Sequence, residues 1–337
     1  MNDMSSSFPA SETSAPLLDV DDLTVDIAAR DGKGIVHAVS GVSFELKRGC
    51  TLGIVGESGC GKSTTAMAIM QLLPGSAQIK SGTISFDGND IVGKSQTEMR
   101  ALRGKRIGMI MQDPMVALDP VFTVGDQLAE PLKLHMGLKG QALLERQVAL
   151  LEAVGIPSPE TRLKQYPHQM SGGMLQRIVG AIAISCNPEL LIADEPTTAL
   201  DPTAQAQFLD LLADIRDTRG LALIIVTHDF GVTARLCDDI MVMYAGRIVE
   251  RGPVETIFKA PRHPYTRALL DAIPKPENDR SKGLATIEGQ PPNLAESISG
   301  CSFAPRCRFA MPRCTSERPP VTKLPGDHQT ACWLEVV

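Results

Sequence analysis

No apolar run in this sequence is long enough to cross a membrane. The longest, "LALIIV", has the length of a core strand and falls far short of the roughly 18–20 residues a spanning helix needs. Positive charge is not in excess: 33 Lys and Arg stand against 39 Asp and Glu, a formal net charge of −6. That balance provides no overall basic field for nucleic acid or an anionic membrane. The opening "MNDMSSSFPASETSAP" has neither a basic start nor an apolar segment, so it does not read as a secretory signal. It is too polar to fold alone, and residues 1–16 are expected to be disordered. The chain is expected in the cytosol, reaching a membrane only through a partner. Aromatic residues are scarce, at 4%.

What is present suffices for a large core. Hydrophobic residues make up 43% and charged residues 21% of 337 positions, a globular composition long for one domain, so a main domain with an appendage is expected. "LDVDDLTVDI", "HAVSGVSFEL" and "TLGIVG" read as strands, and a helix should follow Lys62. "GTISFDGNDI" reads as a hairpin turning near Asp87 and Gly88. "RIGMIMQD", "ELLIADE" and "LALIIVTHD" are buried strands, 203–217 a helix and "DDIMVMYAGRIVERG" a strand pair. Strands alternating with helices imply an α/β fold with a mostly parallel, doubly wound sheet. Residues 123–186 are helical in period, as an insertion would be, and 275–300 read as a linker.

"GIVGESGCGKST" has the P-loop spacing Gly56-x-x-x-x-Gly61-Lys62-Ser63, with a strand before it and a helix after it. Gly56, Gly59 and Gly61 let the backbone curl so that the amides of Gly56, Glu57, Ser58, Gly59, Cys60, Gly61, Lys62, Ser63 and Thr64 can surround a triphosphate. Lys62 would reach the outer phosphates and the Ser63 hydroxyl would bind Mg²⁺. "LLIADEP" ends a buried strand on two carboxylates: Asp194 for Mg²⁺ and Glu195 as general base toward water. In "HQMSGGMLQR", Ser171 caps a helix whose first residues are Gly172 and Gly173. That is a second anion-binding helix end, which makes sense if two subunits sandwich each nucleotide.

In order and spacing, the P-loop, Gln112, "SGGM-QR", "LLIADEPTTALD" and His228 resemble the ATP-binding cassette (ABC) ATPases over about residues 17–260. The resemblance implies a P-loop cassette fold with an antiparallel β subdomain and a helical subdomain over about 115–187. It implies ATP and Mg²⁺ as ligands, with Ser171, Gly172 and Gly173 facing the γ-phosphate of a head-to-tail partner. Gln112 would touch Mg²⁺ and water, Asp201 would lie at the dimer seam and His228 would contact the γ-phosphate. Met174 stands where the signature usually has Gln. From Leu23 to Val42 only His37 is aromatic, so no residue is assigned to stack on adenine. "QDPMVALDPVFTVGDQLAEPL", "HPYTRALLDAIP" and "EGQPPNLAESISGCSFAPRCRFAMPRC" resemble the peptide/oligopeptide (dipeptide) importer ATPases. That branch implies a paralogous cassette subunit, or the chain itself, as partner. It also implies two transmembrane permease subunits, an extracytoplasmic substrate-binding protein, and a peripheral place on the cytoplasmic face of the inner membrane, with no nucleic acid. Importers of nickel chelates or oligosaccharides, and a soluble non-transport ABC ATPase, remain as alternatives.

Four of eight cysteines fall in the C-terminal extension, 261–337: Cys301, Cys307, Cys314 and Cys332. Thiols in a reducing cytosol suggest metal ligands. The gaps exceed those usual for structural zinc and suit a larger 4Fe–4S cluster. Zinc, or thiol packing without metal, are the alternatives. Arg306, Arg308 and Arg313 lie between the thiols, where they could offset a cluster's negative charge.

Overall fold

The structure is a computed structural model and describes residues 15–29, 34–198, 200–273 and 286–335. The expected disordered lead-in therefore lies almost wholly outside the described residues. β1 (Leu18–Ala28), β2 (Ile35–Leu46), β4 (Ala77–Phe86) and β5 (Asn89–Asp90) form an antiparallel sheet in the order β2-β1-β4-β5. β3 (Thr51–Val55) enters the second sheet and leads into α1 (Lys62–Ile69), and α2 (Gln96–Leu102) precedes β6 (Ile107–Ile110).

The helical block follows as α3 (Pro114–Ala117), α4 (Val124–Met136), α5 (Gly140–Ala153), α6 (Pro159–Arg162) and α7 (Gly172–Ile184). Then come β7 (Leu190–Asp194), α8 (Pro202–Arg219), β8 (Ala222–Thr227), α9 (Phe230–Leu236), β9 (Asp239–Tyr244) and β10 (Arg247–Pro253). The larger sheet pairs β9-β3-β8-β7-β6 in parallel. Apolar cover on both faces explains why its strands read as unbroken apolar runs. On β8, Leu223 and Ile225 pack with α7 and α8, while Ala222, Ile224 and Val226 pack with α1 and the antiparallel sheet.

The C-terminal segments add α10 (Val254–Lys259), α11 (Pro264–Asp271), α12 (Pro312–Ser316), β11 (Thr322–Leu324) and β12 (His328–Thr330). β12 pairs antiparallel with β10, so the last hairpin extends the cassette's own sheet. Glu250, fully buried on β10, accepts the N–H groups of Arg262 and His263 at 2.6 and 3.0 Å and pairs with His328 at 2.7 Å. The segment that reads as a linker is described from 286 onward and does not run free: the His37 amide donates to the Leu294 carbonyl at 2.9 Å.

Candidate nucleotide site

The site lies where the parallel strands end, the edge at which such sheets bind ligands. After β3 the chain turns at Gly56, where an added Cβ would sit 2.2 Å from the Met243 carbonyl oxygen. Gly61, at φ 106°, would put a Cβ 2.4 Å from the Ala38 oxygen. Backbone cannot yield at such distances, so both positions require glycine. α1 starts at once on Lys62, whose ammonium is buried and donates to the Gly56 and Glu57 carbonyls at 2.8 and 2.9 Å. The Cys60 thiol packs beneath the loop, and burial pushes its pKa up, which makes it unreactive.

Asp194 ends β7, 3% exposed, with the Ser63 side chain beside it and an Oδ1 that has no partner. Burial raises its pKa, the neighbouring Ser63 side chain opposes this, and the Glu195 charge adds to it. A buried orphan carboxylate oxygen beside a hydroxyl fits a Mg²⁺ site, because Mg²⁺ takes few protein oxygens and completes its shell with phosphates and water. Glu195 follows at φ 47°. Its amide donates to the Val226 carbonyl at 2.8 Å. Its carboxylate accepts Gln112 Nε2 at 3.0 Å and the Thr198 hydroxyl at 3.1 Å, and His228 Nδ1 lies 3.1 Å away. The ends of β6, β7 and β8 thus bring Gln112, Glu195 and His228 together beside Lys62, Ser63 and Asp194.

Ser171, Gly172 and Gly173 are not part of this constellation. Ser171 caps α7, accepting the Met174 amide at 3.3 Å, and it and Gly172 are exposed. Asp201 caps α8 through the Thr203 and Ala204 amides, both at 3.0 Å. Cys301, Cys307, Cys314 and Cys332 line one small cavity with Phe303 and Trp333. Burial pushes the Cys332 thiol up to about 11, with the other three thiols adding to the shift. No group of three or more His, Cys, Asp or Glu side chains among the described residues is arranged to hold a single metal ion. Of the three arginines between the thiols, Arg306 pairs with Glu57 and Arg313 with Glu317, Arg313 also lies over the Trp333 ring and Arg308 over Phe309, and the Arg308 charge favours the Cys307 thiolate. Not foreseen from the sequence were Tyr265, Glu250 and the pairing of Arg306 with Glu57, polar contacts that no local pattern marks.

Residues 39–198 match the model of the ABC transporter family, and residues 249–314 match that of the oligopeptide/dipeptide transporter C-terminal region. The chain belongs to the ABC transporter family. The oligopeptide transport ATP-binding protein OppD of Bacillus subtilis is 48% identical over 94% of this chain and 88% of its own length. The dipeptide transport ATP-binding protein DppD of the same organism is 49% identical over 90% of each. Among solved structures, the ATP-binding cassette MJ0796, a dimer bound to ADP and Pi, superposes with a TM-score of 0.64 at 26% identity. That match covers 70% of this chain and 98% of the other. This ABC protein is an ATP-hydrolysing transport subunit. No helix among its described residues is long and apolar enough to cross a membrane.

Proposed function

We propose that the chain energises import of dipeptides and oligopeptides as one of two cassettes beneath two transmembrane subunits. An external binding protein would feed the pore from the far side of the membrane. The match of 249–314 to the oligopeptide/dipeptide C-terminal region carries the peptide assignment, and the OppD and DppD relatives support it. The gathering of Gln112, Thr198 and His228 around the Glu195 carboxylate carries the chemistry.

In this reading ATP enters the cradle from Gly56 to Thr64, and Lys62 leaves the loop carbonyls for the outer phosphates. Ser63 and Asp194 would hold Mg²⁺, which would supply neutralisation of phosphate charge. Glu195 takes the proton of the attacking water, oriented by Gln112 and His228. Gln112 precedes α3 by two residues, so a change at Glu195 reaches the helical subdomain directly. Ser171, Gly172 and Gly173 serve the γ-phosphate of the partner cassette, and Asp201 sits at the seam between them. The division into 17–260 and 261–337, with helices over about 115–187, belongs to the same proposal. Glu195→Gln should keep ATP binding and slow hydrolysis by about 10²-fold or more. Lys62→Ala should lose binding. Wild-type hydrolysis by Glu195→Gln in the assembled transporter would remove the general-base role.

What supports a tail thiolate site is that all four cysteines line one cavity, although no group of three among the described residues is arranged to hold a metal ion. Cys301, Cys307, Cys314 and Cys332 are the candidate ligands of a 4Fe–4S cluster, which would supply a covalent cross-link of the tail. Protein purified without oxygen should carry about four iron atoms and matching sulfide per chain. Stoichiometric zinc, or no metal at all, would refute this.

A further inference from the structure

The P-loop is also held from outside, by two side chains of the C-terminal extension. Glu57, next after Gly56, donates its amide to the Tyr265 hydroxyl at 2.8 Å. Its carboxylate accepts two nitrogens of Arg306, at 2.6 and 3.0 Å. Arg306 comes from the tail, between Cys301 and Cys307, and its side chain is 4% exposed. Its remaining donors go to the Tyr244 hydroxyl at 3.2 Å and to the Glu288 and Ile287 carbonyls at 3.0 and 3.2 Å. Every N–H of the guanidinium therefore has a protein acceptor. Phe303 packs on Tyr244 and Tyr265, both at 5.3 Å between ring centroids, has the Arg306 guanidinium over its ring at 6.0 Å, and also lines the cysteine cavity. One unbroken set of contacts thus runs from the tail thiols through Phe303 and Arg306 to Glu57, whose carbonyl holds Lys62 at 2.9 Å.

We propose that Arg306 and Tyr265 are positioning residues of the ATP site, so that seating of the cysteine tail and binding of nucleotide are coupled. The inference rests on the reading that Gly56–Thr64 cradle the triphosphate. A phosphate cradle works only if its backbone is fixed before the ligand arrives. Tyr265 holds one amide of the loop and Arg306 clamps the side chain of the same residue in a bidentate, nearly buried pair. The coupling is reciprocal: a tail that favours the cradle must itself be favoured by bound nucleotide.

The test measures ATP titration and ATPase kinetics of the assembled transporter for Tyr265→Phe, Arg306→Gln, Glu57→Gln and the Glu57→Gln/Arg306→Gln pair. Tyr265→Phe keeps the packed ring and removes only the hydroxyl. Each variant should raise KM and Kd for ATP by about fivefold or more, with kcat changed less. The pair should be no worse than the worse single variant, because both remove one interaction. In wild type, ADP should slow amide hydrogen exchange across 301–314, and in Arg306→Gln it should not. Unchanged ATP affinity in Tyr265→Phe and Arg306→Gln would overturn the proposal, as would exchange across 301–314 indifferent to nucleotide. If Arg306→Gln fails to fold, Tyr265→Phe and the wild-type exchange decide. Lys62→Ala separates the two levels. Retained affinity there would sink the cradle reading itself, whereas lost affinity beside unaffected tail variants would sink only the positioning role.

Discussion

Glu195 sits in a left-handed backbone conformation, φ 47°, that glycine favours and glutamate does not. Such a residue persists only where its surroundings fix it, and here a backbone bond to Val226 and three side chains do so. The same reasoning separates the loop glycines. Gly56→Ala places a Cβ 2.2 Å from a carbonyl oxygen, whereas Gly59→Ala meets nothing within 4 Å and bears only the strain of φ 78°. Gly59→Ala should lower stability by about 1–2 kcal/mol and still melt cooperatively. Gly56→Ala should lose far more, with nucleotide binding, in parallel thermal melts and titrations; equal losses would refute the steric account.

Elements show which parts of the molecule were legible in the sequence. β3, β7 and β8 are covered on both faces, so their apolar runs stood out, as did the P-loop that follows β3. β11 and β12 were not legible: "TKL" and "HQT" carry no strand signal and acquire one only by pairing with β10. Arg306 and Tyr265 were hidden for a related reason, since their partner Glu57 lies 249 and 208 residues away and no periodicity marks a lone polar contact. The antiparallel sheet is tied to the main sheet by a charged cluster in which Arg48 and Arg106 each bridge Asp87 and Glu189. Hydrogen bonding to Arg106, then to Arg48, holds the Glu189 carboxyl below its ordinary 4.5. A depressed carboxylate stabilises the fold fully above its unfolded value and loses that contribution as pH falls through the folded one. Glu189→Gln should therefore be less stable than wild type at neutral pH, and the difference in denaturant midpoints should shrink below pH 4.5. A constant difference down to strong acid would contradict this.

At the scale of the whole molecule, the Gln112–Glu195–His228 cluster and the helix end at Ser171 and Gly172 occupy separate places on one protomer. On the proposed reading, a protomer with a cradle and a detached anion-binding helix end would be half of each of two shared sites, and bringing the halves together would be the motion that a separate pore can use. The tail touches the cradle of that site through the Arg306–Glu57 pair. The measurement that bears most directly on this is the structure of the assembled transporter carrying Glu195→Gln with ATP bound. The expected result is the Ser171 hydroxyl and the Gly173 amide within hydrogen-bonding distance of the γ-phosphate held by the other cassette's P-loop. Nucleotide enclosed by one cassette alone, with Ser171 facing solvent, would contradict it.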